Sequence, residues 1–443
     1  MGEHSSLTGT DLNRKQTTSR GHSSKSARLV AGFFFLALFL DYYGGFGIKY
    51  IAFGISVLWV LQHPGTARAL RSIRADLVVL LVIPILLIAF HLIDNVLLSV
   101  KNVTFTTYLN RSYSTISSSL LIVLYPLFST VGSSYIWKQI TLGFRFVAVV
   151  VILVYSLNVV GVINVDRFNS FASRYRIGLF GPDPRMEEQF VPQNQKVVSI
   201  PFVAYPMVLA LGHEAISSPL FASLLFLGLI VTGERGLILG GILLVILTLA
   251  LTKGISVRKS LKRIAAVAAL LLIVVVFSQP IRYRITGIFL KRAAELVGVQ
   301  DASTLIRLGH IEGYANLLSA HPYMAIIGAG PMGEIYNPFL HSEIKVTEMS
   351  ILNNALYFGI PFMFLYIFWL YRSIFRLWRL RHRVGFRASD IAMLMGAAIF
   401  WLAGNTNPLM NSPFSIIMFM LLTLRFSEIR RSSGKLNNPA ASN

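Results

Sequence analysis

The sequence contains no cysteine and few charged residues. The absence of cysteine excludes disulfide bonds, thiol nucleophiles and cysteine-ligated metals. Only 13% of the residues are charged, whereas soluble proteins carry about 25%, and 54% are hydrophobic. This combination predicts a polytopic membrane protein with one membrane domain rather than two or three soluble domains.

Acidic residues are also scarce relative to basic ones, with 19 Asp and Glu against 40 Lys and Arg, for a net charge of +21. The basic residues cluster in short segments between apolar runs, as in loops retained in the cytoplasm. Such loops face an anionic leaflet and gain about 1 kcal/mol per basic residue near its surface. The charge therefore indicates the lipid bilayer as a partner and argues against a nucleic acid.

The apolar runs predict an all-α fold with about twelve transmembrane helices, since a helix needs about 20 apolar residues to cross a bilayer. The polar, basic residues 1–28 predict a disordered cytoplasmic tail with no cleaved signal peptide. The membrane domain then covers 29–425, and 426–443 form a second cytoplasmic tail. The predicted spans are 29–44, 46–62, 76–97, 117–133, 142–164, 196–212, 216–233, 236–252, 263–278, 350–371, 388–406 and 411–425.

The positive-inside rule supports this even number of spans, which puts both termini in the cytoplasm. A shift of the count by one would move a strongly basic segment to the outside. The basic clusters on the inside are Arg68/Arg71/Arg74, Lys253/Arg258/Lys259/Lys262/Arg263, Arg372/Arg376/Arg379/Arg381/Arg383/Arg387 and Arg425/Arg430/Arg431/Lys435.

The longest segment between spans, 279–349, is predicted to be an extracytoplasmic (periplasmic) loop that contains short helices near 280–297 and 302–319. It holds six Lys or Arg, six Asp or Glu and three histidines. Long loops with ionisable groups often carry function. The spacing of His310, His321 and His341 matches no metal-ligand motif, so no metal is predicted.

Gly328-Ala-Gly330-Pro-Met-Gly333 fits the pattern GxGxxG. This pattern binds dinucleotides only between a strand and a helix of a βαβ unit. Here it contains Pro331 and lies in a loop without a parallel-sheet pattern. The glycines therefore predict a turn that returns the chain to the membrane before His341.

An ordered set of motifs resembles the bacterial O-antigen ligase and O-antigen polymerase family. Arg307 precedes Ala320-His-Pro322 and Ile327-Gly328-Ala-Gly330; His341-Ser-Glu343 then precedes the span that contains Phe358-Gly-Ile-Pro361. Upstream, Arg174-Tyr-Arg176-Ile-Gly178-Leu-Phe-Gly181-Pro resembles the arginine-bearing loop of that family, and Thr232-Gly-Glu-Arg235-Gly236 resembles its Arg-Gly turn. The resemblance covers about 165–365.

Four features depart from the family pattern. Arg185 stands where the family usually has asparagine, and Glu234 replaces a common serine. Residues 345–348 form an insertion after His341. Tyr175 occupies the position of the family arginine, so Arg174 and Arg176 both remain candidates for its role.

The resemblance implies a glycosyltransferase of the bacterial inner (cytoplasmic) membrane, which moves a glycan from undecaprenyl diphosphate to an acceptor hydroxyl on the periplasmic side. It implies no metal and no cofactor. Arg174, Arg176, Arg235 and Arg307 would bind the diphosphate, since arginine stays charged and its planar fork matches phosphate oxygens. His341 would act as the general base, since histidine titrates nearest neutral pH.

Within the family, we favour an O-antigen or exopolysaccharide polymerase that joins lipid-linked repeat units. A polysaccharide chain-length regulator is then a further candidate partner. The alternative is the O-antigen ligase, which transfers finished polymer to the lipid A core. An alternative from another class is a lipid-linked oligosaccharide flippase or transporter, which should place ionisable residues within its spans. Each arginine has a simpler explanation too, as an interfacial residue whose head reaches lipid phosphates.

Overall fold

The computed structural model of the chain is nearly all helical. It describes residues 10–41, 47–93, 104–159, 162, 205–232, 235–252, scattered positions from 258 to 270, 302–344, 349–380, 386–404 and 412–437. Its helices are α1 Thr10–Leu40, α2 Ile48–Gln62, α3 Thr66–Ser72, α4 Arg74–Leu92, α5 Phe105–Ile116, α6 Tyr125–Val131, α7 Ser133–Val159, α8 Val208–Ser217, α9 Pro219–Thr232, α10 Arg235–Leu251, α11 Ala302–Ala320, α12 Met324–Ile327, α13 Ser350–Phe358, α14 Ile360–Leu380, α15 Ala388–Gly404 and α16 Pro413–Asn437.

Three of the described helices are long and apolar enough to cross a membrane by length and composition: Arg74–Leu92, Ser133–Val154 and Ile360–Leu380. Six shorter apolar helices lie within or near other predicted spans. They are Ile48–Gln62, Ser119–Val131, Val208–Ser217, Pro219–Ile230, Gly236–Leu251 and Ala388–Ala403. A helical protein with membrane-spanning segments is therefore supported, and the count of twelve spans stays a prediction.

Two boundaries differ from those predicted. Helix α1 begins at Thr10, within the segment predicted to be a disordered tail. Adding residues to an existing helix is much easier than nucleating a new one, so the first apolar run can extend the helix into polar sequence. The span predicted at 350–371 is divided at Gly359, where φ is 87°. Pro361 then lies in the first turn of α14, a position that suits proline.

The buried apolar side chains form one continuous core, to which almost every helix contributes. At its centre the rings of Phe39, Phe144 and Phe414, from α1, α7 and α16, lie 4.9–5.5 Å apart. Helix α8 packs against α10 and α15, and α7 packs against α9. Apolar contact of this kind brings together segments that are far apart in the sequence.

Helix α4 connects two polar regions of the molecule. Near its start, Asp76 accepts a hydrogen bond from Trp369 Nε1 of α14 at 2.8 Å. Near its end, the ring of His91 contacts the segment that follows α11. Fifteen residues separate these two positions, which corresponds to about 22 Å along a helix. The polar regions therefore lie at opposite ends of α4.

The described residues form one sheet of two strands, β1 Ile335–Asn337 and β2 Ser342–Ile344, which pair antiparallel. Tyr336 is opposite Glu343, and Asn337 is opposite Ser342. The two strands and the turn between them form a hairpin that packs on α11. We call α11 and this β-hairpin together the hairpin unit. It lies within the segment 279–349, in which sequence motifs predict a functional site.

Candidate functional site

The structure describes three of the five predicted site residues. Arg174 and Arg176 lie outside the described residues. Arg235 begins α10, three residues after Thr232, at which α9 ends; its side chain lies outside the described residues. Arg307 lies on α11 and is partly buried, while His341 is exposed in the turn of the β-hairpin. The last two residues therefore belong to one small unit.

The β-hairpin lies unusually close to α11 because two glycines, four residues apart, share a face of that helix. A Cβ atom at Gly313 would lie 2.2 Å from the carbonyl oxygen of Tyr336. A Cβ atom at Gly309 would lie 2.3 Å from Oδ1 of Asn337. Both distances are far below van der Waals contact, so this packing requires glycine at both positions.

Asn337 links the hairpin to the turn of α11 that carries Arg307. It is fully buried, and its Nδ2 donates to the carbonyl oxygen of Ile306 at 2.9 Å. Its Oδ1 accepts hydrogen bonds from the backbone N–H groups of Phe339 and Leu340 at 2.9 and 3.1 Å. One side chain thus connects the residue preceding Arg307 with the turn that precedes His341.

His341 has a left-handed backbone conformation, with φ of 48°. It is the one non-glycine residue with positive φ in the described part of the chain. Such a conformation costs roughly 1–2 kcal/mol for a residue with a Cβ atom. Non-glycine residues of this kind cluster at functional sites, where the surrounding structure holds them in place. Here the bonds of Asn337 hold the turn immediately before it.

The face of α11 beside the hairpin carries three polar residues at helical spacing: Arg307, His310 and Tyr314. His310 is 2% exposed, so it is a buried helix residue. Tyr314 is also buried, and its hydroxyl has no hydrogen-bond partner among the described residues. Burial raises the pKa of Tyr314, which keeps its hydroxyl protonated and able to donate. The hydroxyl is therefore a buried donor without an acceptor among the described residues.

The glycine-rich segment after α11 forms a turn, as its sequence predicts. Gly328 has a φ of 77°, and a Cβ atom there would lie 2.5 Å from the carbonyl carbon of Tyr357. The N–H of Ala329 donates to the carbonyl oxygen of Leu356 at 2.6 Å. The following hairpin is antiparallel, so the segment lacks the βαβ context of a dinucleotide site.

His91 of α4 supports the same turn. It is buried, and its Nε2 lies 3.0 Å from the carbonyl oxygen of Ile327. A carbonyl oxygen only accepts, so this contact needs a proton on Nε2. A Cβ atom at Gly330 would lie 2.6 Å from the His91 ring. His91 therefore holds the turn against α4.

Arg111 of α5 adds a cationic residue that the sequence analysis did not select. Its Nη1 lies 3.5 Å from Oε1 of Glu334, the residue before β1, and both side chains are about one quarter exposed. Helix α5 is anchored on α4 through Tyr108, whose hydroxyl donates to the carbonyl oxygen of Ile88 at 2.5 Å. Burial raises the pKa of Tyr108 to about 12, so this bond persists at ordinary pH.

A signal for Arg111 was present in the sequence. It lies in 98–116, one of the segments predicted to face the outside, within an Asn-Arg-Ser triplet that fits a glycosylation pattern. Arg111 was not selected because it lies outside the family motifs that selected Arg235 and Arg307. Asn337 and Tyr314 had no comparable signal, because their roles depend on contacts that sequence spacing does not reveal.

His321 is exposed just after the end of α11 and stacks edge-on to Tyr323, with ring centroids 6.0 Å apart. In the described part of the chain, no group of three or more His, Cys, Asp or Glu residues is arranged to hold a metal ion. The chemical groups that the unit does assemble are guanidinium groups, a tyrosine hydroxyl and an exposed imidazole. These groups suit a phosphate-bearing substrate and a proton transfer.

Comparison of the chain with protein-family models, with curated proteins and with solved structures finds no match in any of the three.

Proposed function

We propose that this chain is a membrane glycosyltransferase that takes a glycan from undecaprenyl diphosphate and joins it to a hydroxyl of a lipid-linked acceptor. Within this class we propose an O-antigen or exopolysaccharide polymerase of the bacterial inner membrane. Its site faces the periplasm, and both termini are cytoplasmic. The observation that carries the proposal is the link through Asn337, which holds the Arg307 turn and the His341 turn in one unit.

The arginines would stabilise the leaving group. When the acceptor hydroxyl attacks the anomeric carbon, the bond from that carbon to the diphosphate oxygen breaks and negative charge grows on the diphosphate. Guanidinium groups of Arg307 and Arg111 can donate charge-assisted hydrogen bonds to those oxygens. By resemblance to the family, Arg235 and either Arg174 or Arg176 complete the set.

His341 would accept the proton that the acceptor hydroxyl loses. Its exposure in the hairpin turn leaves the imidazole accessible to a substrate. The reaction needs no other reactant. The new glycosidic bond forms, undecaprenyl diphosphate leaves, and the proton passes through His341 to water. Such a general base contributes about 10²–10⁴-fold to the rate.

The test uses purified full-length protein with undecaprenyl-diphosphate-linked repeat units, and it measures polymer formation and donor binding separately. The variant His341→Ala should lower turnover about 10²–10⁴-fold and leave donor binding near the wild-type value. The matched control is His321→Ala, which removes another exposed histidine from the same segment and should leave turnover unchanged. Wild-type turnover by His341→Ala would contradict the assignment of the base.

An experiment with a second acceptor distinguishes the polymerase from the ligase. Donor repeat units are supplied together with a lipid A core acceptor, and the products are separated by size. Extension of the lipid-linked units supports the polymerase. Transfer to the lipid A core alone would instead identify the ligase.

A further inference from the structure

Another polar region, separate from the hairpin, surrounds a cavity of about 310 Å³. It lies where α7, α8, α15 and α16 meet, and none of the residues that line it belongs to the hairpin unit. We call it the cationic cavity, since four of its lining residues are basic and one is acidic. These five are Lys138, Arg145, Arg387, Arg425 and Asp390. Its volume is in the range of pockets that hold small ligands.

Two of the arginines are held rigidly by carboxylates. Arg145 donates through Nε and Nη2 to the two oxygens of Glu214, both at 2.8 Å, and Glu214 is fully buried. Arg425 donates to both oxygens of Asp390, at 2.7 and 3.0 Å, and also to Glu428. These bidentate pairs build the wall of the cavity, and their charges are already compensated.

The other two cations are not compensated in this way. The side chains of Lys138 and Arg387 are exposed and make no ion pair with any described residue. Counting Glu214 and Glu428, which lie beside the lining, four cations face three carboxylates, so the region keeps a positive excess. The cavity therefore favours one anionic group over a cation.

An unsatisfied donor also lines the cavity. Trp137 is only 4% exposed, and its Nε1 has no hydrogen-bond partner among the described residues. A buried N–H without a partner costs about 1–3 kcal/mol. An oxygen of a bound anion would supply the missing acceptor.

Apolar surface continues from the cavity along α7. Leu142 lines the cavity and is 43% exposed. Phe146, Val149 and Leu153 follow at intervals of four, three and four residues, so they share its face, and each is about half exposed. The polar cavity and this apolar stripe together match a molecule with an anionic head and a hydrocarbon tail.

We propose that the cationic cavity binds the phosphate headgroup of an anionic membrane lipid, with an acyl chain along the stripe from Leu142 to Leu153. The phosphate contacts Lys138, Arg387 and the indole N–H of Trp137, while the two paired arginines shape the wall. A free phosphate offers the same headgroup chemistry, but it would not use the stripe. This site is independent of the proposed transferase activity.

The test measures equilibrium binding of radiolabelled dioctanoyl phosphatidylglycerol to the purified full-length chain in neutral detergent. The double variant Lys138→Gln/Arg387→Gln should weaken binding about tenfold or more, since hydrogen bonds to charged groups are lost. The matched control is Arg68→Gln/Arg71→Gln, which removes two exposed cations from α3, away from the cavity, and should change binding less than about twofold. Both side-chain pairs are exposed, so both variants should fold.

Two competing ligands show whether the site requires an anionic lipid or binds free phosphate equally well. Dioctanoyl phosphatidylcholine, which has no net charge, and inorganic phosphate should each displace the labelled lipid poorly. Equal binding of the two lipids, or unchanged binding by Lys138→Gln/Arg387→Gln, would overturn the proposed site. Displacement by inorganic phosphate at the same concentration as the lipid would overturn the lipid assignment.

Discussion

The hairpin unit and the cationic cavity both contain arginine, but they hold it in different ways. In the cavity, Arg145 and Arg425 make bidentate bonds at 2.7–3.0 Å with carboxylates that are almost fully buried. Beside the hairpin unit, Arg111 of α5 lies 3.5 Å from the carboxylate of Glu334, and both partners are partly exposed. Near Arg111, the backbone of the β-hairpin is the fixed element. Close packing on Gly309 and Gly313 and the hydrogen bonds of Asn337 hold it in place.

This difference separates arginines that support the structure from arginines that can bind a substrate. A guanidinium group that already has two strong acceptors gains little from a phosphate, and its removal leaves a buried carboxylate without compensation. A guanidinium group whose ion pair is long and partly exposed can exchange that carboxylate for a phosphate at small cost. Sequence position alone does not distinguish the two kinds.

The largest expected difference between the two regions is their side of the membrane. Because the chain has no cysteine, single cysteines can be labelled without background. Ser319→Cys on α11 and Ser134→Cys at the cavity both replace exposed serines. An impermeant thiol reagent should label position 319 in intact cells and reach position 134 only after the membrane is permeabilised. Labelling of both positions in intact cells would contradict the predicted topology.

The ion pair of the cavity should have a large effect on stability. Arg145→Ala leaves Glu214 buried without its partner and should reduce the free energy of unfolding by about 3–5 kcal/mol. The double variant Arg145→Met/Glu214→Leu removes both charges and should recover most of that loss. Denaturant titration in mixed micelles measures each value. A double variant as unstable as Arg145→Ala would show that the pair itself, and not an isolated carboxylate, determines the stability.

The hairpin unit should instead be sensitive to a single methyl group. Gly313→Ala brings a Cβ atom to within 2.2 Å of the Tyr336 carbonyl oxygen and should cost about 1–3 kcal/mol of stability. The matched control is Gly54→Ala in α2, where nothing lies within 4 Å of the added Cβ atom. Because alanine favours a helix more than glycine does, that control should be neutral or stabilising. Equal losses at the two glycines would contradict the close packing of the hairpin.

The smallest effect on stability is expected at Arg111, although its effect on activity should be clear. Arg111→Ala should change stability by less than about 1 kcal/mol, since the pair with Glu334 is partly exposed and long. Polymer formation should fall about tenfold or more if Arg111 contacts the diphosphate. Glu334→Gln removes the same ion pair and keeps the guanidinium charge, so it should retain activity. Equal loss of activity in the two variants would assign Arg111 a structural role through Glu334.

Local patterns in the sequence predicted several elements correctly. Apolar runs predicted helices able to cross a membrane, and three described helices have the length and composition to do so. The segment 302–319 was predicted as the helix that the structure shows at Ala302–Ala320. The glycines at 328–333 indicated a turn, and the spans predicted at 216–233 and 236–252 correspond to α9 and α10. These predictions succeed because hydrophobic periodicity and glycine backbone freedom act over a few residues.

Only the tertiary structure decided which polar residues meet. Arg111 reaches Glu334 across 223 positions, His91 reaches Ile327 across 236, and Ser133 donates to Glu428 across 295. Such partners are selected by the packing of the apolar core, and no local spacing encodes them. The sequence by itself therefore determined the membrane class, the helices and the candidate motifs. Packing decided which arginines make bidentate pairs with buried carboxylates and which part of α11 Asn337 connects to the turn before His341.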